Sequence, residues 1–126
     1  PKIIGIANAL ELTYSGRIID ATEALKLNLV SSVHDSESLL TDAVNITKKM
    51  IQNSAPVSIS LTRQMLWRSL ESSGPYDAHV IESKAIDSRG ASEDAKEGVS
   101  SFLEKRPAKF KNKVSSDMPK FFPWWE

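Results

Sequence analysis

Apolar residues recur at helical spacing along almost the whole of this 126-residue chain, and that pattern limits the fold more than any other feature. Ile3, Ala7, Leu10 and Tyr14, with Ile6 beside them, predict a first helix ending at Ser15-Gly16. Gly5 weakens that run a little. Asp20-Ala-Thr-Glu23 reads as a capping box with Asp in the cap, opening a short helix that carries Ala24, Leu25 and Leu27. His34-Asp35-Ser36 makes a turn and an N-cap. Leu39, Leu40, Ala43, Val44, Met50 and Ile51 then predict a helix over 37–53. Asn53-Ser54-Ala55-Pro56 breaks it, with Pro56 suited to the first turn of the next helix. Val57-Ser-Ile59-Ser-Leu61 alternates like a strand, but Leu61, Met65, Leu66 and Leu70 continue at helical spacing. Length favours one helix over 56–71. Ser72-Ser73-Gly74-Pro75 is a loop. Ala78, Ile81, Ala85 and Ile86 give a helix ending at Gly90. Ser92 caps a last helix with Ala95, Val99, Phe102 and Leu103 on one face. The acids Glu93 and Asp94 at its start and the bases Lys105 and Arg106 at its end suit the helix dipole, and Pro107 stops it.

One further run, Leu29-Val30-Ser31-Ser32-Val33, is rich in β-branched residues and reads as a strand. A single strand leaves both edges of its backbone unpaired. The expected fold is therefore mainly α with one short strand. That strand either pairs with something outside this chain or does not form.

Composition excludes several functions. Sixteen Lys+Arg balance sixteen Asp+Glu, which argues against a chain-wide polyanion binder but leaves a local basic patch open. Cysteine is absent, so there is no disulfide framework, thiolate nucleophile or Cys-based metal site. The longest uncharged apolar stretch, Ile3 to Leu10, is too short to span a bilayer. The chain begins at Pro1 with no signal-like segment before it, as expected of a processed product or part of a longer protein.

Candidate chemistry is sparse. His79 and Glu82 lie three apart on one helix face, a spacing that can bind metal. Helical carboxylate sites need several such pairs on facing helices, and His34 falls in a turn, so no metal site is expected. A Ser–His–acid set can be assembled on paper, but no nucleophile-elbow spacing supports it. The five glycines are scattered, so no phosphate-cradling loop is present. No residue is assigned a catalytic role. The segment 102–113 holds five basic residues, two aromatics and one acid. Such a mixture can stack on a base and hold phosphates, as a nucleotide-like ligand or a single-stranded nucleic acid would require. The alternative is that Lys105 and Arg106 complement the helix dipole, Phe102 is core and the rest is solvated. The final Phe121-Phe122-Pro123-Trp124-Trp125 holds four of the nine aromatics. It can dock on the body, pack on another subunit or touch a membrane surface. Packing is favoured because no basic amphipathic helix adjoins it.

Two segments together resemble one family. The first is Gly16-Arg-Ile-Ile-Asp-Ala21-Thr-Glu-Ala24-Leu-Lys-Leu-Asn28-Leu-Val30. The second is Glu93-Asp94-Ala-Lys-Glu97-Gly98-Val-Ser-Ser-Phe102-Leu-Glu-Lys105-Arg106-Pro-Ala-Lys-Phe110. Both are similar to the enoyl-CoA hydratase/isomerase (crotonase) family, in the right order and at about the right separation. The resemblance covers residues 1 to about 111 and only the C-terminal half of the family. It implies a helical C-terminal trimerisation domain over 1–111, followed by an aromatic-rich tail over 112–126. It implies an enzyme of fatty-acid metabolism that hydrates, isomerises or otherwise processes acyl-CoA thioesters through an enolate. The family's oxyanion-hole amides and acid/base glutamates would lie upstream of residue 1, so the isolated chain is expected to be inactive. None of Glu11, Glu23, Glu93 or Glu97 falls at a catalytic position.

What carries over residue by residue is Phe102 and Lys105. In the family, an aromatic and a lysine at these positions reach the adenine and phosphate end of CoA, often bound in the neighbouring subunit. The CoA would arrive as part of the substrate and not as a resident cofactor. The implied partners are acyl-CoA and further copies of the chain, as a trimer or dimer of trimers. Neither nucleic acid nor a membrane span is implied. The implied compartment is the cytoplasm, or the mitochondrion or peroxisome in a eukaryote. The lone strand would border the family's larger β-rich core. Asn28 stands where the family commonly has Gly, and Asn tolerates the left-handed conformation that turn needs. Acyl-chain length and hydratase versus isomerase chemistry stay open. The rival reading is a non-catalytic helical assembly module that never meets CoA. A third is nucleic-acid binding through 105–113.

Overall fold

The computed structural model describes residues 1–72 and 74–125. Its helices are α1 (Ile6–Ser15), α2 (Ala21–Lys26), α3 (Leu39–Ile51), α4 (Pro56–Ser69), α5 (Pro75–Gly90) and α6 (Glu93–Leu103). The expected helices all form, most of them with ends trimmed by a residue or two. Of the loop expected at Ser72 to Pro75, Ser73 lies outside the described residues, as does Glu126 at the end of the chain. The chain divides into two compact units, Pro1–Ile46 and Thr47–Glu126.

In the first unit, Gly5 (φ 80°) turns the chain into α1, and Gly16 (φ 60°) ends it in the left-handed conformation, its N–H donating to the Leu12 carbonyl. Asp20 caps α2 by accepting from the Glu23 N–H at 2.7 Å. The other half of the expected capping box is redirected. The Glu23 carboxylate engages Arg17, whose guanidinium also forks onto Glu11 at 2.8 and 3.0 Å. Arginine's planar fork outcompetes a backbone N–H for a carboxylate on an exposed surface. After α2, Asn28 sits at φ 58°, as its type permits. Its N–H donates to Leu25 and that of Leu29 to Ala24, at 3.0 and 2.9 Å, closing a Schellman turn.

The run Leu29–Val33 bends at Leu29 to Ser31 and is irregular after that, and no strand occurs among the described residues. That corrects the expectation of one short strand. Its β-branched residues are suited to a sheet, but no second strand to pair with occurs among the described residues. The segment is fastened through His34 instead.

In the second unit, α4 and α5 both begin with proline at the first helical position, where a missing N–H removes no bond. Among the described residues the core is Val57 and Leu61 of α4 with Ala85 of α5. Met65, Met118, Phe121, Phe122 and Trp124 pack against it. The alternation at 57–61 thus belongs to a helix that buries Val57 and Leu61 (0% and 1% exposed). The aromatic tail returns to the body, one of the placements open from sequence. Phe122 and Trp124 each meet Trp125 edge to face, at 5.1 and 4.9 Å between centroids, and Arg68 lies 3.5 Å over the Trp125 ring.

Candidate functional site

The residues with the richest polar chemistry gather on and after α6. Ser92 caps the helix through a bond from the Ala95 N–H at 3.2 Å. The helix ends at Leu103, before the expected basic residues, so Lys105 and Arg106 lie beyond it. A Schellman turn sets that end. The Lys105 N–H donates to Phe102 at 3.3 Å and the Arg106 N–H to Ser101 at 3.0 Å. The turn requires a left-handed residue, and here that residue is Lys105, at φ 52°.

Beyond the turn the chain doubles back along α6. The Arg106 guanidinium forks onto Glu97 at 2.6 and 2.9 Å and its Nε donates to Glu104 at 2.6 Å. Glu97 also accepts from the Lys109 backbone N–H at 2.7 Å. One turn nearer the start of the helix, Asp94 accepts from the backbone of Lys111 and Asn112 at 2.8 and 3.1 Å. The Phe110 ring fills the space over Gly98, where an added Cβ would lie 3.8 Å from it. Arg106 and the Lys109 N–H hold the Glu97 carboxyl down at about 2. Asp94 is 4% exposed; backbone donors reach its Oδ1, while its buried Oδ2 has no hydrogen-bond partner.

Phe102 is 81% exposed. That removes the expectation that it is core. Lys105 is exposed two residues past the helix end, its backbone N–H bonded to the Phe102 carbonyl. An exposed aromatic face and an exposed ammonium three residues further on can stack on a base and pair with a phosphate. A hollow along α6 is lined by Lys96, Arg106, Lys109 and Lys111, but also by Glu93, Asp94, Glu97 and Glu104. Opposite charges in equal number give no continuous basic track for a nucleic-acid backbone.

The other sequence candidates lie elsewhere. His79 and Glu82 line a shallow hollow between α4 and α5. Among the described residues no three His, Asp or Glu side chains gather as a metal cage would need. In the first unit the structure brings together a Ser–His–Asp array that spacing did not reveal. His34 Nδ1 lies 3.0 Å from Asp42 Oδ2 and its Nε2 lies 2.7 Å from Ser32 Oγ. The same Asp42 oxygen accepts from Ser38 Oγ at 2.8 Å. A relay of this kind catalyses acyl transfer only beside paired oxyanion donors and a substrate hollow. Here it ties the bends after α2 to the first turn of α3.

A model of the enoyl-CoA hydratase/isomerase family matches residues 1–113. The chain belongs to that family. Among its relatives, an enoyl-CoA hydratase of Alternaria alternata is 37% identical over 113 residues, which are 89% of this chain and 38% of the relative. A probable enoyl-CoA hydratase of Rhizobium meliloti is 34% identical, over 89% of this chain and 43% of that protein. The crystal structure of an enoyl-CoA hydratase from Bacillus anthracis superposes with a TM-score of 0.82 at 29% identity, over 90% of this chain and 43% of that one. A putative enoyl-CoA hydratase/isomerase from Mycobacterium abscessus gives 0.78 at 28% identity. The chain thus spans about two-fifths of the relatives it matches. The helical C-terminal part of the crotonase fold expected from the two segments is the fold observed, without its strand. The family match ends at residue 113, so the aromatic tail that completes the core lies past it. No described helix is long and apolar enough to cross a membrane.

Proposed function

We propose that this chain is the C-terminal helical part of an enzyme that processes acyl-CoA thioesters. It carries part of the CoA anchor and not the reacting groups. Residues 1–111 form the family domain and 112–126 an added tail. Phe102 stacks on the adenine ring and Lys105 pairs with a phosphate of the CoA moiety. Such contacts lie far from the thioester and supply binding energy that fixes the substrate for chemistry elsewhere. The observation that carries the reading is that Phe102 and, three residues on, Lys105 both stand exposed at the end of α6 in a chain that belongs to the enoyl-CoA hydratase/isomerase family.

The enolate-stabilising amides and the glutamates that move protons belong to the part of the family's length this chain does not span. The chain associates with further copies of itself, a trimer being the family's arrangement. The exposed apolar side chains of α6, Val99 and Leu103, support that. The compartment is the cytoplasm or an acyl-CoA-oxidising organelle.

The test is to incubate the pure chain with crotonyl-CoA and follow the loss of the enoyl absorbance, with CoA binding measured by calorimetry in parallel. CoA binding without turnover is the expected result. Turnover that a substitution within the chain abolishes contradicts it, as does the absence of any CoA binding.

A further inference from the structure

Lysine is an unfavourable choice at a left-handed helix end, where Gly16 and Asn28 show the usual residue types in this same chain. Something must hold Lys105 there. The Arg106 N–H is fixed to Ser101 on one side, and its guanidinium is fixed to Glu97 nine residues back. Glu97 and Asp94, one helical turn apart, then bind the backbone of Lys109, Lys111 and Asn112. With Arg106 and the returning segment tied to α6, the residue between Glu104 and Arg106 must reverse the chain, and only the left-handed region does that here.

We propose that the Glu97–Arg106 pair, backed by Asp94, is a positioning device: it forces Lys105 out of line with the helix and sets its ammonium beside Phe102 for phosphate. Neither Glu97 nor Arg106 touches the ligand. Both side chains are already committed, Glu97 to three donors and Arg106 to two carboxylates. They act through the backbone conformation of Lys105. The strap is made of hydrogen bonds between α6 and the segment after it, so it forms without any residue outside the second unit. This inference rests on the CoA reading above.

The experiment measures 3′,5′-ADP and adenosine binding to the 126-residue chain by NMR titration. The two ligands share the base that Phe102 stacks on, and only the first carries the phosphates that Lys105 pairs with. The unsubstituted chain is expected to prefer 3′,5′-ADP by about tenfold, the usual scale for one charge-assisted contact. Lys105→Ala should reduce that preference to about twofold. Glu97→Gln and Arg106→Lys should do the same while adenosine affinity and helicity stay as they were, because a lysine at 106 keeps the charge but loses the fork. The double variant should lose no more than either single one, since both break one pair.

A preference that Lys105→Ala removes but Glu97→Gln and Arg106→Lys retain overturns the positioning role and leaves the CoA reading standing. Loss of both ligands in parallel with helicity intact also overturns it, because that is a merely structural effect. An unsubstituted chain with no preference for 3′,5′-ADP overturns both. Should Glu97→Gln fail to fold, Arg106→Lys, which keeps every charge, decides the matter alone.

Discussion

Among the described residues Gly16, Asn28 and Lys105 end helices in the left-handed region, and they are not chemically equivalent. Glycine meets no steric penalty there, asparagine a small one, and lysine a strain of roughly 1–2 kcal/mol. Lys105→Gly should therefore stabilise the folded chain by roughly 0.5–1 kcal/mol in denaturant unfolding while weakening 3′,5′-ADP. A substitution that raises stability and lowers binding at one position marks a residue kept for function. Asn28→Val should destabilise by about 1–2 kcal/mol, and Asn28→Gly should be close to neutral, by the same measurement. Asn28 was legible in the sequence because its residue type announces the conformation. Lys105 was not, because a lysine near a helix end is equally well explained by the dipole. Its conformation follows from Arg106 and Glu97, and a bond between two side chains nine residues apart is not visible in local spacing. Phe102 sits on the apolar face of its helix by spacing, yet it is exposed. Periodicity identifies a face without saying what covers it.

At the scale of elements, helix positions were legible from apolar spacing, caps and prolines, whereas the one supposed strand was not a strand. Leu29–Val33 has strand-forming residues, but a strand is defined by a partner and none is present in the described chain. The returning segment after α6 was equally hidden, since its order comes from helix carboxylates binding backbone amides up to eighteen residues away. That strap should respond to acid in a definite window. Arg106 and the Lys109 N–H lower the Glu97 carboxyl from 4.5 to about 2. A depressed carboxyl contributes fully above its unfolded value and loses that contribution as pH falls through its folded one. The Glu97 side-chain carbon should therefore titrate by NMR near 2, and the amide of Lys109 should stay protected from exchange above pH 4.5 and lose protection toward 2. Titration of Glu97 at an ordinary carboxylate value would show that the fork is not formed in solution. Within α6, Gly98→Ala meets Phe110 only at ordinary contact distance. The helix should gain about 0.5–1 kcal/mol in thermal unfolding, since glycine is a poor interior helix residue.

At the scale of the whole molecule, few apolar side chains are fully covered. Among the described residues the buried ones are Ala24, Val57, Leu61 and Ala85. Much of the covering of Val57, Leu61 and Ala85 comes from Met118, Phe121, Phe122 and Trp124, past the end of the family match. Removing residues 114–126 should expose that cluster and lower the helical signal of α4 and α5 in circular dichroism. Leu61→Ala alone should destabilise by about 2–4 kcal/mol. The apolar faces that remain open, such as Ile6 and Tyr14 of α1 and Val99 and Leu103 of α6, predict concentration-dependent association in sedimentation. A monomer at every concentration would count against that.

The central claim is that the end of α6 receives the nucleotide end of CoA. Mapping amide and side-chain NMR shifts of the 126-residue chain during CoA titration tests it most directly. Shifts centred on Phe102 and Lys105, lost in Lys105→Ala, are the expected result. Shifts centred elsewhere, or an affinity unchanged by Lys105→Ala, would contradict it.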